Sequence, residues 1–430
     1  MRGHWRQWPG ESEIRKSGEF HLARAALQSD TRPSSRRQIM YINFWYAAER
    51  SEKLTAEKPI RVRMLSHEFV LFRDSKGKAH CLSDTCIHRG AALSGGKVMG
   101  DCVQCPYHGW QYDGSGRCVS IPSLGPKGRK KVPPRGQVDG YPTEERYGLI
   151  FVFLGDLPKE ERPPIMPIPE WDKDGWRANT MDYHWNANYE RAVENGLDPA
   201  HNEFVHPTHG YSGERAEYKV NELRIDHHDH GFEFMHTFQS PPLKNWLMKR
   251  IRNYDGPLDA GSGHHGPNGL YTYIHLTPTK WFHQYVWETP VDEHYLHTFL
   301  VSMRNCMIPK NKWFLKIADD NMDKRNFAIA EQDRTVIEKL DPVCTPAERS
   351  TRELLMPADK VIWLYRERLQ QWDDMGWRID ADELKRMRAK RNVVYAIPSP
   401  ARRESQAWVL DPVPLVEPRP TAQPLRAVGA

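Results

Sequence analysis

A chain of 430 residues that is 39% hydrophobic and 11% aromatic has material for about two domains, each with its own core. Its net charge of +5 is mild for the length and no long Lys/Arg block appears, so nucleic-acid binding is not expected. No apolar run approaches the roughly 18 residues of a membrane-spanning helix. Residues 1–39 are rich in Arg and Ser, contain no apolar stretch of the secretory kind, and read as a disordered extension. From Tyr41 to Gly155 the pattern is short strands between Gly and Pro turns: IRVRML, EFVLFRD, KAHCLSD, GRCVSIP and LIFVFLG. PKEERPPIMPIPE then reads as a linker.

A helical stretch is expected over about 186–205. Strands follow: YKVNELRIDHH, GFEFMHTFQ, LYTYIHL, WFHQYVWETP and HYLHTFLVSM. Between the second and third of these lies a Gly- and Pro-rich segment, 240–269, which reads as a long loop. Helices return near 313–340 and 357–374, and the Pro-rich end reads as a tail. DHHDHG, residues 226–231, reads as a hairpin turn rather than a metal site.

Five of the seven cysteines fall in the first third of the chain, and the total is odd. That is no secreted disulfide framework; it suits a reducing cytoplasm and thiolates bound to metal. Cys86 and His88 stand as C-x-H, and Cys105 and His108 as C-x-x-H, with sixteen residues between the pairs. Structural zinc prefers two Cys in one loop and two His in another. Here each loop offers one of each, which suits two hairpin tips gripping one object. A cluster of two irons bridged by two sulfides fits, with the thiolates of Cys86 and Cys105 on one iron and the imidazoles of His88 and His108 on the other. Cys81, Cys102 and Cys118 read as strand residues.

NYERAVENGLDPAHNEFVHPTHG carries D-x2-H-x4-H: Asp198, His201 and His206. Asp198 and His201, three apart, would share a helix face. His201 and His206 lie about 140° apart around an ideal helix, so they converge only if the helix bends or ends between them. Two histidines and one carboxylate on one face of an iron leave positions open for oxygen and substrate. The carboxylate must come from elsewhere. Asp319, Asp320, Asp323 and Asp333 are candidates, and Asp333 is favoured because a helix would set it in an apolar stripe with Ala330, Val336 and Ile337.

The C-x-H-x16-C-P-Y-H-G-W signature resembles the Rieske domain. Ala91 and Tyr107 stand where the respiratory type carries extra cysteines, so the resemblance is to the oxygenase branch. With the second site, residues 41–375 resemble the catalytic α subunit of a Rieske non-haem iron oxygenase. EQDRTVIE resembles the segment carrying the third ligand in O-demethylases of this family. The resemblance implies an α+β chain. A small all-β Rieske domain (40–155) precedes a helix-flanked antiparallel-sheet, helix-grip-like catalytic domain (156–400) and a tail (401–430). It implies a Rieske 2Fe-2S cluster on Cys86, His88, Cys105 and His108, and mononuclear Fe(II) on His201, His206 and Asp333. Asp198 matches the acid that links the two centres, through hydrogen bonds to His201 and a cluster histidine, and Asn195 a polar residue near the iron.

The same resemblance implies a homotrimer, and the cysteine usage a cytoplasmic one. It would take electrons from NAD(P)H through a separate reductase, with or without a ferredoxin, and activate O2 toward an aromatic or other hydrophobic ring compound. No G-x-G-x-x-G follows a strand and no plant-type four-cysteine run occurs, in line with a separate donor. Ring hydroxylation, dihydroxylation and O-demethylation share these ligands. The alternative from another class is a Rieske electron carrier, which needs no second iron.

Overall fold

The computed structural model describes residues 40–207, 213–238, 254, 256–346 and 353–419. The extension 1–39 and most of 239–255 lie outside the described residues. The first part is built of short strands: β1 (Phe44–Arg50), β2 (Ile60–Met64), β3 (His67–Arg73), β4 (Ala79–Ser83), β5 (Lys97–Met99), β6 (Cys102–Gln104), β7 (Gln111–Asp113), β8 (Cys118–Ser120), β9 (Gly140–Tyr141), β10 (Thr143–Arg146) and β11 (Leu149–Leu154). They form three antiparallel sheets, ordered β1-β11-β10, β2-β3-β4-β9 and β5-β6-β7-β8.

The continuous apolar run of β11 reflects burial on both faces: all six of its residues are buried. Ile150, Val152 and Leu154 join Phe44 and Tyr46 in one core with residues of the later helices. Phe151 and Phe153 join Trp45 in another, with Tyr285, Trp287 and Phe299 of the later sheet. At roughly 1.5–3 kcal/mol per large buried side chain, this strand is a principal weld between the two parts. A third core belongs to the small domain alone and contains Cys86, Cys105, Cys118, Tyr112 and Ile121.

The second part is a seven-stranded antiparallel sheet: β12 (Arg177–Trp185), β13 (Arg224–His228), β14 (Gly231–Phe238), β15 (Leu258–His265), β16 (Gly269–Thr277), β17 (Lys280–Pro290) and β18 (Leu296–Arg304). β13 to β18 run as a meander, and β12 adds beside β18. DHHDHG forms the β13–β14 turn, with His228 paired to Gly231. Two strands of this sheet were not expected. β12 has a mixed composition without clear alternation, and β15 lies inside the segment read as loop. The β15 glycines are not turn residues. A Cβ on Gly263 would fall 2.4 Å from the Tyr271 ring, and one on Gly261 2.1 Å from the Phe234 carbonyl oxygen, so the neighbouring strands need the space.

Among the described residues the α-helices are α1 (Gly125–Gly128), α2 (Tyr189–Leu197), α3 (Asn202–Val205), α4 (Lys312–Ile337), α5 (Lys360–Asp374) and α6 (Ala381–Lys390). α6 was not anticipated, although Asp380 caps it by accepting from Glu383 N–H at 2.9 Å. Among the described residues no helix is long and apolar enough to cross a membrane. Strand alternation sorts the aromatic β17. Tyr285 and Trp287 pack toward the small domain, whereas Val286 packs in the core that holds Val193 and Leu197 of α2.

The segment from 401, expected as a tail, is part of the fold as far as Arg419. Asp139 is fully buried, and Arg402 meets both its carboxylate oxygens at 2.7 Å. Ser399 Oγ adds a bond at 2.8 Å. A buried carboxylate needs such partners, and the chain end supplies them.

Candidate metal centres

The two Cys–His loops are built alike. Cys86 N–H donates to Ala91 O and Gly90 N–H returns to Cys86 O, at 2.9 and 2.8 Å. Cys105 N–H donates to Trp110 O and Gly109 N–H returns to Cys105 O, at 2.8 and 3.1 Å. Gly90 and Gly109 close these turns with φ of 73° and 69°, values that side chains disfavour. Both cysteines are buried, while His88 is exposed and His108 half-buried. The His88 and His108 rings lie 4.4 Å apart, and Trp110 stacks on His88 at 4.6 Å. Burial pushes the Cys86 thiol above its ordinary pKa, and the Tyr112 hydroxyl, 3.2 Å from its sulfur, partly opposes that. Holding it as a thiolate takes the positive charge of a metal.

The spread of these four side chains bears on which group they fit. Donors on one tetrahedral zinc lie about 3.8 Å apart, from a Zn–S bond of about 2.3 Å. Among the described residues, the one group of three or more that brings metal-ligating atoms within 4.8 Å of one another lies elsewhere. The four therefore do not close on a single ion, as a two-iron cluster requires.

That other group is His201, His206 and Asp333. Asn188 caps α2 by accepting from Glu190 N–H at 3.0 Å, and the helix ends at Asp198 with extended backbone, one residue before Pro199. The chain resumes as the single turn α3, with His201 at its N-cap and His206 at its C-cap. The helix break thus brings two imidazoles together that an unbroken helix would splay. Their Nε2 atoms lie 3.1 Å apart, and Asp333 Oδ1 from α4 lies 3.6 and 3.3 Å from them. His201 Nδ1 donates to the Asp198 carbonyl oxygen at 2.5 Å and His206 Nδ1 to Gln332 Oε1 at 3.1 Å. With the protons on Nδ1, two lone pairs and a carboxylate oxygen face one another, which only a cation relieves. Cis ligands about 2.1 Å from a metal lie about 3 Å apart, so the spacing fits one ion. Burial lowers the pKa of His206 and favours the neutral, ligating form.

Asn195 donates from Nδ2 to Asp333 Oδ1 at 3.0 Å, so this residue is brought to the site. Asp198 behaves differently from expectation. It does not share a helix with His201, and it reaches His201 through its backbone carbonyl. Its carboxylate accepts from Ala200 N–H at 2.7 Å, because the helix ends there and leaves that donor to be satisfied. Burial raises its pKa. The competing acids are engaged elsewhere: Asp319 with Arg177 and the buried Arg304, Asp320 with Lys316, and Asp323 with Asn179. Of the expected stripe beside Asp333, Ala330 and Ile337 are buried, but Val336 is exposed. Val336 and Phe204 line a groove of about 370 Å3 that also includes Gln332.

Gln332 and Tyr112 were missed by sequence reasoning. Nothing in their local pattern marks them, since each acts on a residue distant in sequence. Gln332→Leu is expected to weaken ferrous-iron binding roughly 10–100-fold while the cluster signal persists, as measured by iron titration of protein stripped of its mononuclear metal.

A β domain with paired Cys–His loops, joined to an antiparallel-sheet domain whose helices bring together two histidines and a carboxylate, defines a class. The chain belongs to the Rieske non-haem iron oxygenases and is built as their α subunit. Residues 44–142 match the Rieske [2Fe-2S] domain, and residues 185–375 match the vanillate O-demethylase oxygenase C-terminal domain. Among individual relatives, methylxanthine N1-demethylase NdmA of Pseudomonas putida is 28% identical over 325 residues, covering 73% of this chain and 82% of the relative. The toluene-4-sulfonate monooxygenase system iron-sulfur subunit TsaM1 of Comamonas testosteroni is 36% identical over 166 residues, 39% of this chain. This match spans 46% of that relative, about half its length. The solved structure of NdmA with caffeine superposes with a TM-score of 0.63 at 26% identity, over 76% of this chain and 90% of that one.

Proposed function

We propose that this protein is the terminal oxygenase of a multicomponent system, hydroxylating or O-demethylating an aromatic or other hydrophobic ring substrate. The observation that carries the reading is the convergence of His201, His206 and Asp333 in a chain whose first domain is a Rieske domain. An electron carrier has no use for that second set. In this reading Cys86, His88, Cys105 and His108 hold the cluster, and His201, His206 and Asp333 hold a mononuclear iron. When bound, the cluster supplies single electrons and the iron supplies the position at which O2 is activated.

The chain's own residues do the rest. Asp198 O and Gln332 hold the two imidazoles in the tautomer that presents Nε2. Asn195 orients Asp333 and ties α2 to α4. The Asp198 carboxylate, three residues before His201, serves as the polar link toward a cluster. Burial of Cys86 and Cys105 keeps water from the sulfurs, while the exposed His88 edge gives electrons a route. Electrons come from NAD(P)H through a separate reductase, with or without a ferredoxin. A relative named as the iron-sulfur subunit of a monooxygenase system supports a division of labour of this kind.

The protein acts in the cytoplasm as a homotrimer, in which a head-to-tail contact closes into a ring. Exposed Tyr107 beside the cluster loop, and exposed Phe204 and Val336 beside the triad, support such a contact. The 1–39 extension and the domain limits 40–155 and 156–400 belong to the same reading.

The test is an oxygen-uptake screen of ring compounds with a surrogate reductase, alongside an iron count. Substrate-dependent uptake and about three irons per chain are expected, two in the cluster and one outside it. Two irons per chain and no uptake would leave the electron-carrier reading.

A further inference from the structure

We propose that the surface around the loop between β8 and β9 is a cationic dock for an acidic electron-donor protein of the iron–sulfur ferredoxin type. This rests on the Rieske domain receiving electrons from a separate protein. Between Asp113 and Asp139 the chain carries Arg117, Lys127, Arg129, Lys130, Lys131 and Arg135 and not one acid. Those six charges exceed the +5 net charge of the whole chain, so the remainder is close to neutral. Composition averages this away, and the longest run of consecutive cations in the segment is only Arg129–Lys131.

All six are exposed, and among the described residues none forms an ion pair. The two flanking acids are engaged by other groups, Asp113 in its own turn at the surface and Asp139 in the interior. Asp113 accepts from the backbone N–H groups of Ser115 and Arg117, at 2.9 and 3.1 Å. Asp139 is consumed by Arg402 and Ser399. Among the described residues neither acid forms an ion pair with these cations, and the segment keeps a net positive field.

The segment is also a built platform beside the cluster loops. Ile121 and Val132 pack in the same small core as Cys86 and Cys105. Ile121 N–H donates to Arg129 O at 2.9 Å, Lys131 N–H to Gly128 O at 2.8 Å and Cys118 N–H to Gly136 O at 2.7 Å. Pro122 lies 3.3 Å from where a Cβ on Gly109 would stand, and Gly109 directly follows His108. The cations thus leave the fold at the flank of the more exposed, histidine side of the site. A partner drawn there by charge arrives next to the redox group. Such a field acts over about 8–10 Å at ordinary ionic strength and mainly raises the association rate.

An anionic membrane also attracts clustered cations. The location favours a protein donor: the cations project from a folded loop beside the Cys–His pair, and Leu124 is the one exposed large apolar side chain on the loop.

The test uses the full chain, oxidised, mixed by stopped flow with a reduced, acidic plant-type [2Fe-2S] ferredoxin, and follows bleaching of the Rieske chromophore. Wild-type reduction is expected to slow steeply between about 50 and about 500 mM salt. The triple variant K127E/K130E/K131E is expected to be reduced about tenfold or more slowly at low salt, with its salt dependence flattened. Dithionite, a small reductant, should reduce both proteins alike, which separates lost docking from a damaged cluster. Equal ferredoxin rates and salt slopes for the two proteins overturn the proposal. So does a wild-type protein that ferredoxin does not reduce. Charge-dependent binding to phosphatidylcholine vesicles with about 30% phosphatidylserine, with ferredoxin reduction unchanged in the variant, replaces it with a membrane role. Failure of the oxygenase reading is seen separately, as absence of a Rieske paramagnetic signal before mixing or of substrate-dependent oxygen uptake.

Discussion

Asp333→Ala is expected to lower the iron content from about three to about two per chain and to abolish turnover, while the reduced protein keeps its Rieske signal. Loss of turnover should exceed 100-fold, because removing groups that merely support a ligand already costs about 10–100-fold. The reason is geometric. Among the described residues, Asp333 Oδ1 is the one carboxylate oxygen brought within 3.3 and 3.6 Å of the two imidazole nitrogens. Without it two neutral imidazoles face each other and the neutralising charge is gone. Asp320→Ala is the matched control, since that carboxylate pairs only with Lys316 on the helix surface in the described structure. It should retain all its iron. Asp319→Ala should also keep both metals but lose stability, because buried Arg304 leans on that carboxylate. Full iron and activity in Asp333→Ala would mean that another acid is the ligand. Iron analysis, electron paramagnetic resonance and oxygen uptake on one preparation decide among these outcomes.

His108→Cys should lower the midpoint potential of the cluster by roughly 100–300 mV. Rieske centres lie near −150 to +300 mV and all-cysteine plant-type clusters near −400 mV, and the substitution adds one thiolate charge to one iron. His108 sits on the half-buried rim of the domain with Tyr107 against its ring at 3.9 Å, so a smaller side chain disturbs little of the core. Redox titration monitored by electron paramagnetic resonance measures the shift, and loss of the characteristic Rieske line shape accompanies it. An unchanged potential in a protein that retains two cluster irons would show that His108 is not a ligand. A single zinc, read by metal analysis of the wild type, would end the cluster reading altogether.

Sequence alone marked out the chemistry because its residues come in short, ordered packets. Cys86 and His88, then Cys105 and His108, are separated by one and two residues, and a hairpin tip that grips a metal cannot space them otherwise. Asp198, His201 and His206 are likewise a local packet, and the β11 run announces a strand covered on both faces. Alternation also identified β14, β16, β17 and β18. What the sequence could not determine depends on residues far apart in the chain. Whether His201 and His206 converge was decided by the break at Asp198 and Pro199, which turns an expected 140° divergence on a helix into facing nitrogens. Asp198 meets the His201 ring through its backbone carbonyl, while its carboxylate turns to backbone N–H groups, that of Ala200 among them, left over at the break between α2 and α3. β15 was hidden because its glycines look like loop residues until Tyr271 and Phe234 are seen pressing on them. Gln332 and Tyr112 have no local signature, since hydrogen bonds to His206 and Cys86 exist only after packing. The C-terminal segment is held because a buried Asp139, more than 250 residues earlier, requires Arg402. Spacing within a turn is local and written in the chain; the satisfaction of buried polar groups is a tertiary matter, and only the folded protein shows which partner each one found.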